Sequence, residues 1–492
     1  MRARLTGNYT RGVSTLEILI AFAVFTLSIS AVIMVVFGNQ SVAADTQTNI
    51  EAISKAQKML EDARAQSRLD FNLVNPFTTT ETSGPRSMTS KLDVIDLTQC
   101  KKQVISTVTW NNSSRPQKIE FSTFLSDIIG SIALGRDCLS DPPYGDWSKP
   151  KQNTQIDLGK ATGIDVIYKT AFLTLSNTTP SRPDLAIIDV TSSTSPILIS
   201  STNILNSPGF NAIDVATSTN GRLYAYIAKN DASKQLQIID VSNLTNPVLI
   251  ASSTLPNMAT GIPRSIFYHS GRVYIGTQYL ACVGCSIDRN NELHIFDVTD
   301  PTSPQWEGSI NVNRNVNAIA VRNNLAYLAT GSGSAGVRNP FKIFDVAPLS
   351  PTYKQQVGLF TAAGDEDGTS LYLLGNKIYL SLQRAASSRP DFFILDVSNV
   401  SSIIVSASRN LNLSSNAQVN GIRVAGGLAF LGISDPNDGL QIRDISKSTI
   451  DRINTGSFKI QQNISGIDMN NNTVYLSAGS GSTNFIIVGP MP

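Results

Sequence analysis

The residues that most often carry enzyme chemistry are scarce in this chain. Its 492 residues include two histidines, His269 and His294. Neither stands at a recognisable motif spacing from a serine or cysteine and an acid that would build a nucleophile. His269 is expected in a turn beside Gly271. His294 alternates with apolar neighbours, so we expect it to face solvent or an adjacent sheet. The pattern predicts a protein that is not an enzyme.

The four cysteines favour disulfides over metal chemistry. Cys282 and Cys285 form a Cys-x-x-Cys pair, but a zinc site built on it needs a second pair of ligands that the neighbouring sequence does not supply. We expect a local disulfide that stiffens an extended loop, with metal binding or redox chemistry as the alternatives. Cys100 and Cys138 flank two predicted strands, and a disulfide between them is expected in an exported chain.

One aspartate recurs at the end of a repeated strand. The copies are Asp189, Asp240, Asp297, Asp345, Asp396 and Asp444. An acidic ring is one interpretation of this recurrence, but each aspartate is followed by Val or Ile and usually then by Ser or Thr. That order is typical of a turn in which the carboxylate accepts backbone N–H groups. We therefore expect a structural role for these aspartates.

Three oxygen-rich loops raise the question of calcium. They are residues 288–292, 365–368 and 435–439. None has the spaced ligands of an EF-hand loop. We expect solvated turns, no metal site and no cofactor, with calcium as the alternative.

A single carboxylate interrupts a long apolar segment near the N-terminus. Between Val13 and Phe37 the only ionisable side chain is Glu17. A helix over this span would be long enough to cross a bilayer core of roughly 30 Å. A carboxylate inside it would cost a few kcal/mol, which makes Glu17 a functional candidate. Residues 1–12 carry three arginines and no acid, which favours a cytoplasmic location for this end.

The residues around Glu17 also carry a family resemblance. Arg11-Gly12-Val13-Ser14-Thr15-Leu16-Glu17 and the apolar run after it resemble the class III signal of type IV pilins and pseudopilins. The resemblance implies that prepilin peptidase cleaves after Gly12, that Val13 becomes the N-methylated first residue and that Glu17 is the assembly glutamate. Glu17 would then neutralise the amine of Val13 on a neighbouring helix, since both charges are costly alone and tolerable together. A cleaved signal peptide and a plain membrane anchor are the alternatives.

The elements that follow predict a small domain carried by this helix. Apolar residues recur at helical spacing up to Leu69, so residues 13–69 are predicted as one helix. Residues 70–140 are predicted as a small β domain with a hairpin formed by 102–110 and 118–125, which looks like the globular domain of minor pilins. Residues 141–153 have the Pro, Gly and Asp content of a linker.

From residue 154 the sequence repeats at intervals of about fifty residues. Each unit opens with an aliphatic residue on its first strand: Ile164, Ile213, Ile266, Ile319, Leu371, Ile422 and Ile467. Four short strands per unit predict the blades of a seven-bladed β-propeller. The last unit stops after its third strand, so we predict that a strand at 154–159 completes it and closes the ring. The units resemble the LVIVD-repeat propeller family over 154–489.

The predicted fold is therefore an α+β pilin module, with a long N-terminal helix and a small antiparallel sheet, followed by an all-β seven-bladed propeller over 154–492. The net charge of +2 and the lack of a basic block argue against nucleic acid as a partner. By the pilin resemblance, the expected partners are prepilin peptidase, the cytoplasmic membrane and other pilin subunits. Other pilin subunits would bind through the N-terminal helix. The expected location of the chain is the cytoplasmic membrane before assembly, and then the pilus or cell surface.

This organisation predicts a minor type IV pilin-like subunit. Its propeller would lie outside the cytoplasm and bind a surface protein or glycan, in recognition or adhesion. The alternative is a type II secretion-like pseudopilin whose propeller binds cargo. An enzyme would need clustered acids or a metal at the propeller centre.

Overall fold

The structure, a computed structural model, describes fourteen segments of the chain. They are residues 15–83, 86–112, 115–135, 143–176, 183–203, 209–256, 261–279, 291–333, 339–364, 366–383, 388–414, 417–453, 460–479 and 484–491. At positions 15–18, 21 and 36–45 the backbone alone is described.

The first element of the described chain is one long helix, α1, which spans Thr15–Leu69 and contains 55 residues. Its second half buries a stripe of residues spaced three or four apart, as one face of a helix requires. The stripe is Ala52, Ala56, Met59, Leu60 and Ala63, each at most 8% exposed. Beside it, Lys55 pairs with Glu81 at 2.6 Å and Arg64 donates to Thr123 Oγ1 at 2.9 Å. These contacts hold α1 to the sheet that follows.

The first half of α1 leaves its described apolar side chains exposed. Leu19 is 66% exposed, Phe22 65% and Met34 77%. Among the described residues, no helix combines the length and apolar character that a membrane span requires.

A four-stranded sheet in the order β1-β2-β3-β4 follows a 3₁₀ turn at Phe71–Leu73. The strands are β1 (Phe77–Ser83), β2 (Arg86–Thr98), β3 (Lys101–Asn112) and β4 (Arg115–Ser126). The adjacency of β3 and β4 confirms the predicted hairpin, whereas β1 and β2 were not predicted. A short helix, α2 (Ile128–Leu134), begins at Asp127, whose side chain accepts from Gly130 N at 2.8 Å, and ends at Gly135 with φ of 65°.

Two compact units divide these elements. The first contains α1 together with Leu73–Val94 and Val104–Thr123. The second contains Asp70–Asn72, Ile95–Gln103 and the chain from Phe124 onward. The end of β2, the start of β3 and the helix α2 thus belong to the same unit as the repeats.

The repeats form seven four-stranded sheets in the described part of the chain. In six of them the strands follow chain order from the innermost to the outermost. They are β6 to β9 (Ala161–Ile167, Thr170–Leu175, Leu185–Asp189, Ile197–Thr202), β10 to β13 (Phe210–Thr217, Leu223–Lys229, Leu236–Asp240, Val248–Ser253), β14 to β17 (Pro263–His269, Arg272–Thr277, Leu293–Asp297, Gln305–Ile310), β18 to β21 (Arg314–Arg322, Leu325–Gly333, Phe341–Asp345, Gln356–Phe360), β22 to β25 (Gly368–Leu374, Lys377–Leu382, Phe392–Asp396, Ile404–Arg409) and β26 to β29 (Val419–Ala425, Leu428–Ile433, Leu440–Asp444, Asp451–Arg452).

The seventh sheet closes the ring with a strand from the start of the repeats. It consists of β30 (Ile464–Asn470), β31 (Thr473–Ala478), β32 (Phe485–Met491) and β5 (Asp146–Ile156), with Phe485 opposite Ile156 in antiparallel register. The first strand of each sheet lies beside the first strand of the next, and β30 lies beside β6. The seven sheets are therefore the blades of a β-propeller, numbered 1 to 7 in chain order from the β6–β9 sheet, and the predicted closure by an N-terminal strand is confirmed. β5 begins at Asp146, inside the segment that was expected to be a linker.

Apolar layers between consecutive blades make up the core. In one of them Tyr475 stacks on Phe485 and packs with Ile164 and Leu173 of the next blade. The third strand of each blade is covered on both faces, so even its polar residues are buried. Gln237 and Gln441 are 0% exposed, His294 is 1% and Lys342 is 9%.

Candidate functional site

The inner strands of all seven blades surround a central channel with a cavity of about 310 Å³. One end is lined by Thr98, Gln99 and Leu134, which precede the repeats in sequence. Pockets of about 300–1,000 Å³ are the size that small ligands occupy. The channel is therefore the candidate site.

The segments before the repeats cover the end at which the inner strands finish. Gln99 Nε2 donates to Leu373 O at 3.2 Å, and Gly426 N donates to Leu97 O at 3.2 Å. At blades 2 and 3 the C-terminus of α2 takes this role, since Ala133 O accepts from Ser270 N. Of the two ends, the one where the inner strands begin is therefore the candidate entry for a ligand.

A β-bulge lies near the beginning of every inner strand. In blade 2, Phe210 stands opposite Lys229 and Ala212 opposite Ala228, so Asn211 is the extra residue. The same register shift occurs in the other blades. Bulges re-aim a side chain and are frequent near functional sites. The seven bulged residues, here called the bulge ring, are Thr162, Asn211, Arg264, Asn317, Thr369, Asn420 and Ser465.

Most of the bulge ring fastens one blade to the next. Asn211 Nδ2 donates to Pro263 O at 2.8 Å, Asn317 Nδ2 to Gly368 O at 2.7 Å and Ser465 Oγ to Ala161 O at 2.8 Å. Asn420 and Thr162 make the equivalent bond to the next blade. The recurring polar residue therefore satisfies a backbone carbonyl at each of these junctions.

Arg264 departs from this pattern. Its neighbour Ser265 donates to Val316 O of the next blade at 2.9 Å and so replaces it at the junction. Arg264 is exposed to the channel, and its Nη1 lies 3.4 Å from Asn317 Oδ1. Burial lowers the pKa of its guanidinium, whereas Asp367 acts in the opposite direction. The side chain is accessible to water and yet partly desolvated by the surrounding wall.

Deeper in the channel, three buried aspartates bind the backbone of the following blade. Asp214 Oδ2 accepts from Tyr268 N and Asp468 Oδ2 accepts from Val166 N, both at 2.6 Å, and Asp165 accepts from Val215 N. Each is at most 4% exposed. Arg423 also pairs with Asp468 at 2.6 Å. These carboxylates fix the spacing of blades and are not presented to a ligand.

His294 is buried, His269 is half-buried, and both are neutral near pH 7. Burial lowers the pKa of each to about 4. His269 is the last residue of β14, not a residue of the turn that follows. His294 Nε2 lies 2.9 Å from Asn291 O within the interblade layer, which was one of the two placements expected for it.

The strand-ending aspartates have the turn chemistry that the sequence indicates. Each accepts from the backbone N–H two residues later, at 2.8 to 2.9 Å, in all six copies. Hydrogen bonds from the side chain and the backbone of Thr191 lower the pKa of Asp189, and those from the side chain and the backbone of Ser446 lower the pKa of Asp444. The aspartates are the last residues of the third strands and do not form an acidic ring around the channel.

The expectation of solvated turns in the oxygen-rich loops is wrong for several of their residues. Glu366 is buried beside Arg389 (3.3 Å), and Asp367 accepts from Ser332 Oγ at 2.6 Å. Asp435 is 7% exposed and accepts from Ser414 Oγ at 2.6 Å. Within the described segments, no group of three or more histidine, cysteine or acidic side chains could hold a metal ion. Residues 288–290 and Asp365 lie outside these segments.

Most residues predicted from the pilin-like signal and the cysteines lie outside the described structure. Gly12, Val13, Cys138, Cys282 and Cys285 belong to this group. Glu17 lies within α1, with only its backbone described. Cys100 is 0% exposed and disulfide-bonded.

The bulge ring was not recognised from the sequence, although a signal was present. A polar residue stands two positions before the aliphatic residue that opens each of the seven units. The role of this residue depends on the bulge, which in six of the seven units places it in the channel wall.

Comparisons with known proteins agree with the repeats. The LVIVD repeat family matches residues 211–254 and 280–312. No curated protein matches the chain.

Similar solved structures are distant. One is a catalytically inactive virginiamycin B lyase from Staphylococcus aureus with quinupristin, at 15% identity and a TM-score of 0.40, covering 70% of this chain and 99% of that one. BamB from Moraxella catarrhalis has 11% identity and a TM-score of 0.39, covering 85% and 97%. The computationally designed Ika4 protein has 13% identity and a TM-score of 0.26, covering 35% and 90%. At these values none of them bears on function.

Proposed function

We propose that the chain is a minor type IV pilin-like subunit that displays its β-propeller for extracellular recognition and has no enzymatic activity. The observation that carries the proposal is the sequence at residues 11–37, where Glu17 is the single ionisable side chain of an apolar segment behind a basic leader. By its resemblance to pilin signals, this segment would be cut after Gly12. It would reside in the cytoplasmic membrane before it joins a filament.

The long helix supports this proposal. α1 carries exposed apolar side chains in its first half and an apolar stripe against a small sheet in its second half. Large exposed apolar surfaces mark sites of protein or membrane contact. A bundle of like helices would cover this surface and would give Glu17 a cationic partner in the amine of Val13.

The propeller supports a recognition role. The end of the channel nearest Thr98 and Leu134 is covered by the chain itself. The opposite end presents the bulge ring and is the candidate contact surface for a partner. The buried carboxylates of the described channel are committed to structural bonds, and the two histidines lie outside its lining and are held neutral by burial. This arrangement fits binding better than catalysis.

Filament incorporation can be tested with a matched pair of glutamate variants. Filaments sheared from cells that express Glu17→Leu should contain little of the chain, because the buried amine of a neighbouring subunit would lack its counter-ion. Glu51→Leu replaces a glutamate of the same helix that forms a surface pair with Lys55 (3.4 Å), and it should be incorporated normally. Equal incorporation of the two variants would contradict the filament role.

Recognition can be tested on protein and glycan arrays with the purified full-length chain. The proposal predicts reproducible binding to at least one ligand displayed on a cell surface. Binding to secreted cargo of a type II-like system would favour the pseudopilin alternative. An absence of binding to every class would contradict the recognition role.

A further inference from the structure

Arg264 is the one charged member of the bulge ring. The other six members are Asn, Thr or Ser, and five of them donate to a carbonyl of the next blade. Thr369 bonds within its own blade, to Ser381 O at 3.3 Å. Because Ser265 fastens blade 3 to blade 4, the fold does not need the guanidinium of Arg264 at this junction.

The electrostatic surroundings leave the charge of Arg264 available. Within the described residues no acid forms an ion pair with it. Asp367 is the acid that acts on its charge, and that carboxylate already accepts from Ser332 at 2.6 Å. The contact from Arg264 Nη1 to Asn317 Oδ1, at 3.4 Å, lies beyond the usual range for a strong hydrogen bond. A guanidinium has five donors in a planar fork that matches a carboxylate.

The walls around Arg264 suit a small polyhydroxylated molecule. The neighbouring ring members Asn211 and Asn317 are half-buried at the channel wall. Their amide nitrogens donate to the next blade, so they would meet the hydroxyl groups of a ligand as acceptors. Below them lies a layer of aliphatic side chains that line the same cavity, among them Ile213, Ile266 and Ile319. A sugar ring presents hydroxyl groups at its edge and C–H groups on its faces, and the cavity of about 310 Å³ is of ligand size.

We propose that the channel binds a carboxylated sugar, such as a uronic acid, with its carboxylate on Arg264 and its hydroxyl groups on the neutral members of the bulge ring. This inference rests on the proposed recognition role of the propeller but not on its attachment to a filament. The proposed site lies at the end of the channel at which the inner strands begin. The sugar could be free or the terminal unit of a surface polysaccharide, and both present the same carboxylate.

The test is a binding titration by saturation-transfer NMR with the purified full-length chain. Glucuronate should bind, glucose should bind at least about 10-fold more weakly because it lacks the charge-assisted contact, and an equal concentration of sulfate should not displace glucuronate. A glucuronate-terminated oligosaccharide that binds more tightly than the monosaccharide would identify a polysaccharide terminus as the source. Equal binding of the two would identify the free acid.

Variants of Arg264 locate the contact. Arg264→Gln should weaken glucuronate binding about 10- to 100-fold, and Arg264→Lys should retain part of it, because the charge remains without the fork. The control is Arg222→Gln, which changes an exposed arginine of blade 2 that pairs with Asp240 at 2.6 Å. This variant should bind glucuronate as the unaltered chain does. Circular dichroism of each variant separates a lost contact from a lost fold.

Three results would overturn the inference. They are an unchanged affinity in a folded Arg264→Gln variant, the absence of glucuronate binding, and sulfate binding as tight as that of glucuronate. If glucuronate fails but the arrays show another ligand, this inference is wrong and the recognition role stands. If no ligand of any class binds, both are wrong.

Discussion

The closure of the ring by β5 can be tested by truncating Trp147 to alanine. Trp147 is 3% exposed and packs edge-on against Phe430, with ring centroids 4.8 Å apart. Its indole N–H donates to Asn472 Oδ1 at 3.3 Å. Because β5 is the outer strand of the last blade, Trp147 joins the start of the repeats to blades 6 and 7.

The size of the effect follows from the buried area and the cavity. A buried tryptophan removes about 150–250 Å² from water, which at about 25 cal/mol/Å² corresponds to about 4–6 kcal/mol as an upper bound. Measured truncations of buried aromatic residues cost about 3–5 kcal/mol. The lost hydrogen bond adds at most about 1 kcal/mol, since Asn472 Oδ1 still accepts from Tyr144 N at 2.9 Å. We expect Trp147→Ala to destabilise the propeller by about 3–5 kcal/mol.

The assay is urea unfolding of the full-length chain followed by far-ultraviolet circular dichroism. The control is Trp306→Ala on β17, an outer strand of another blade, where the side chain is 40% exposed. We expect Trp306→Ala to lower the free energy of unfolding by about 1 kcal/mol or less. Because a chain of several units lacks one defined free energy of unfolding, the comparison is made on the propeller transition alone. Equal losses in the two variants would refute the closure by a packed β5.

Three further predictions concern buried polar groups and the disulfide. Burial raises the pKa of Glu292 to about 7, above its unfolded value near 4.5, so the folded state takes up protons and stability falls as pH rises from about 4.5 to about 7. The free energy of unfolding of Glu292→Gln, measured relative to the unaltered chain by urea titration, should therefore rise by up to about 3 kcal/mol between pH 5 and pH 8. A difference that stays constant with pH would contradict this. Asp214→Ala should cost about 1–3 kcal/mol in thermal unfolding because it leaves the N–H of Tyr268 without its acceptor, with Asp214→Asn less affected; the reverse order would be inconsistent with the bond. If Cys100 pairs with Cys138 as the sequence suggests, either Cys→Ser change should cost about 3–4 kcal/mol and a non-reducing peptide map should join the two cysteines, whereas a different partner in the map would show the pairing to be wrong.

The parts of the fold that repeat in sequence were predictable. The blades are defined by the aliphatic residue on each of seven first strands and by six aspartates that end third strands. Because the last unit stops after its third strand, its fourth strand has to come from another part of the chain. The start of β5 was missed because the residues around Pro150 have the composition of a turn. An outer strand tolerates proline, since its free edge needs no ladder hydrogen bond.

The parts determined by long-range packing were not predictable. β1 is rich in Thr and Ser without an apolar alternation, so its place in the sheet depends on β2. The cover of the channel by Gln99 and α2 depends on contacts with residues that lie far later in the chain, such as Leu373 and Ser270. The burial of His294 reflects a third strand enclosed on both faces, which a single strand pattern does not reveal. The polar residues of the bulge ring can be identified only from the register between the first two strands of a blade, which the sequence does not show.

The most direct test of the pilin-like assignment is mass spectrometry of the N-terminal peptide of the mature chain isolated from its native cells. The expected peptide begins at Val13 and carries one methyl group on its amine. A mature chain that still begins at Met1, or at any residue other than Val13, would contradict the assignment.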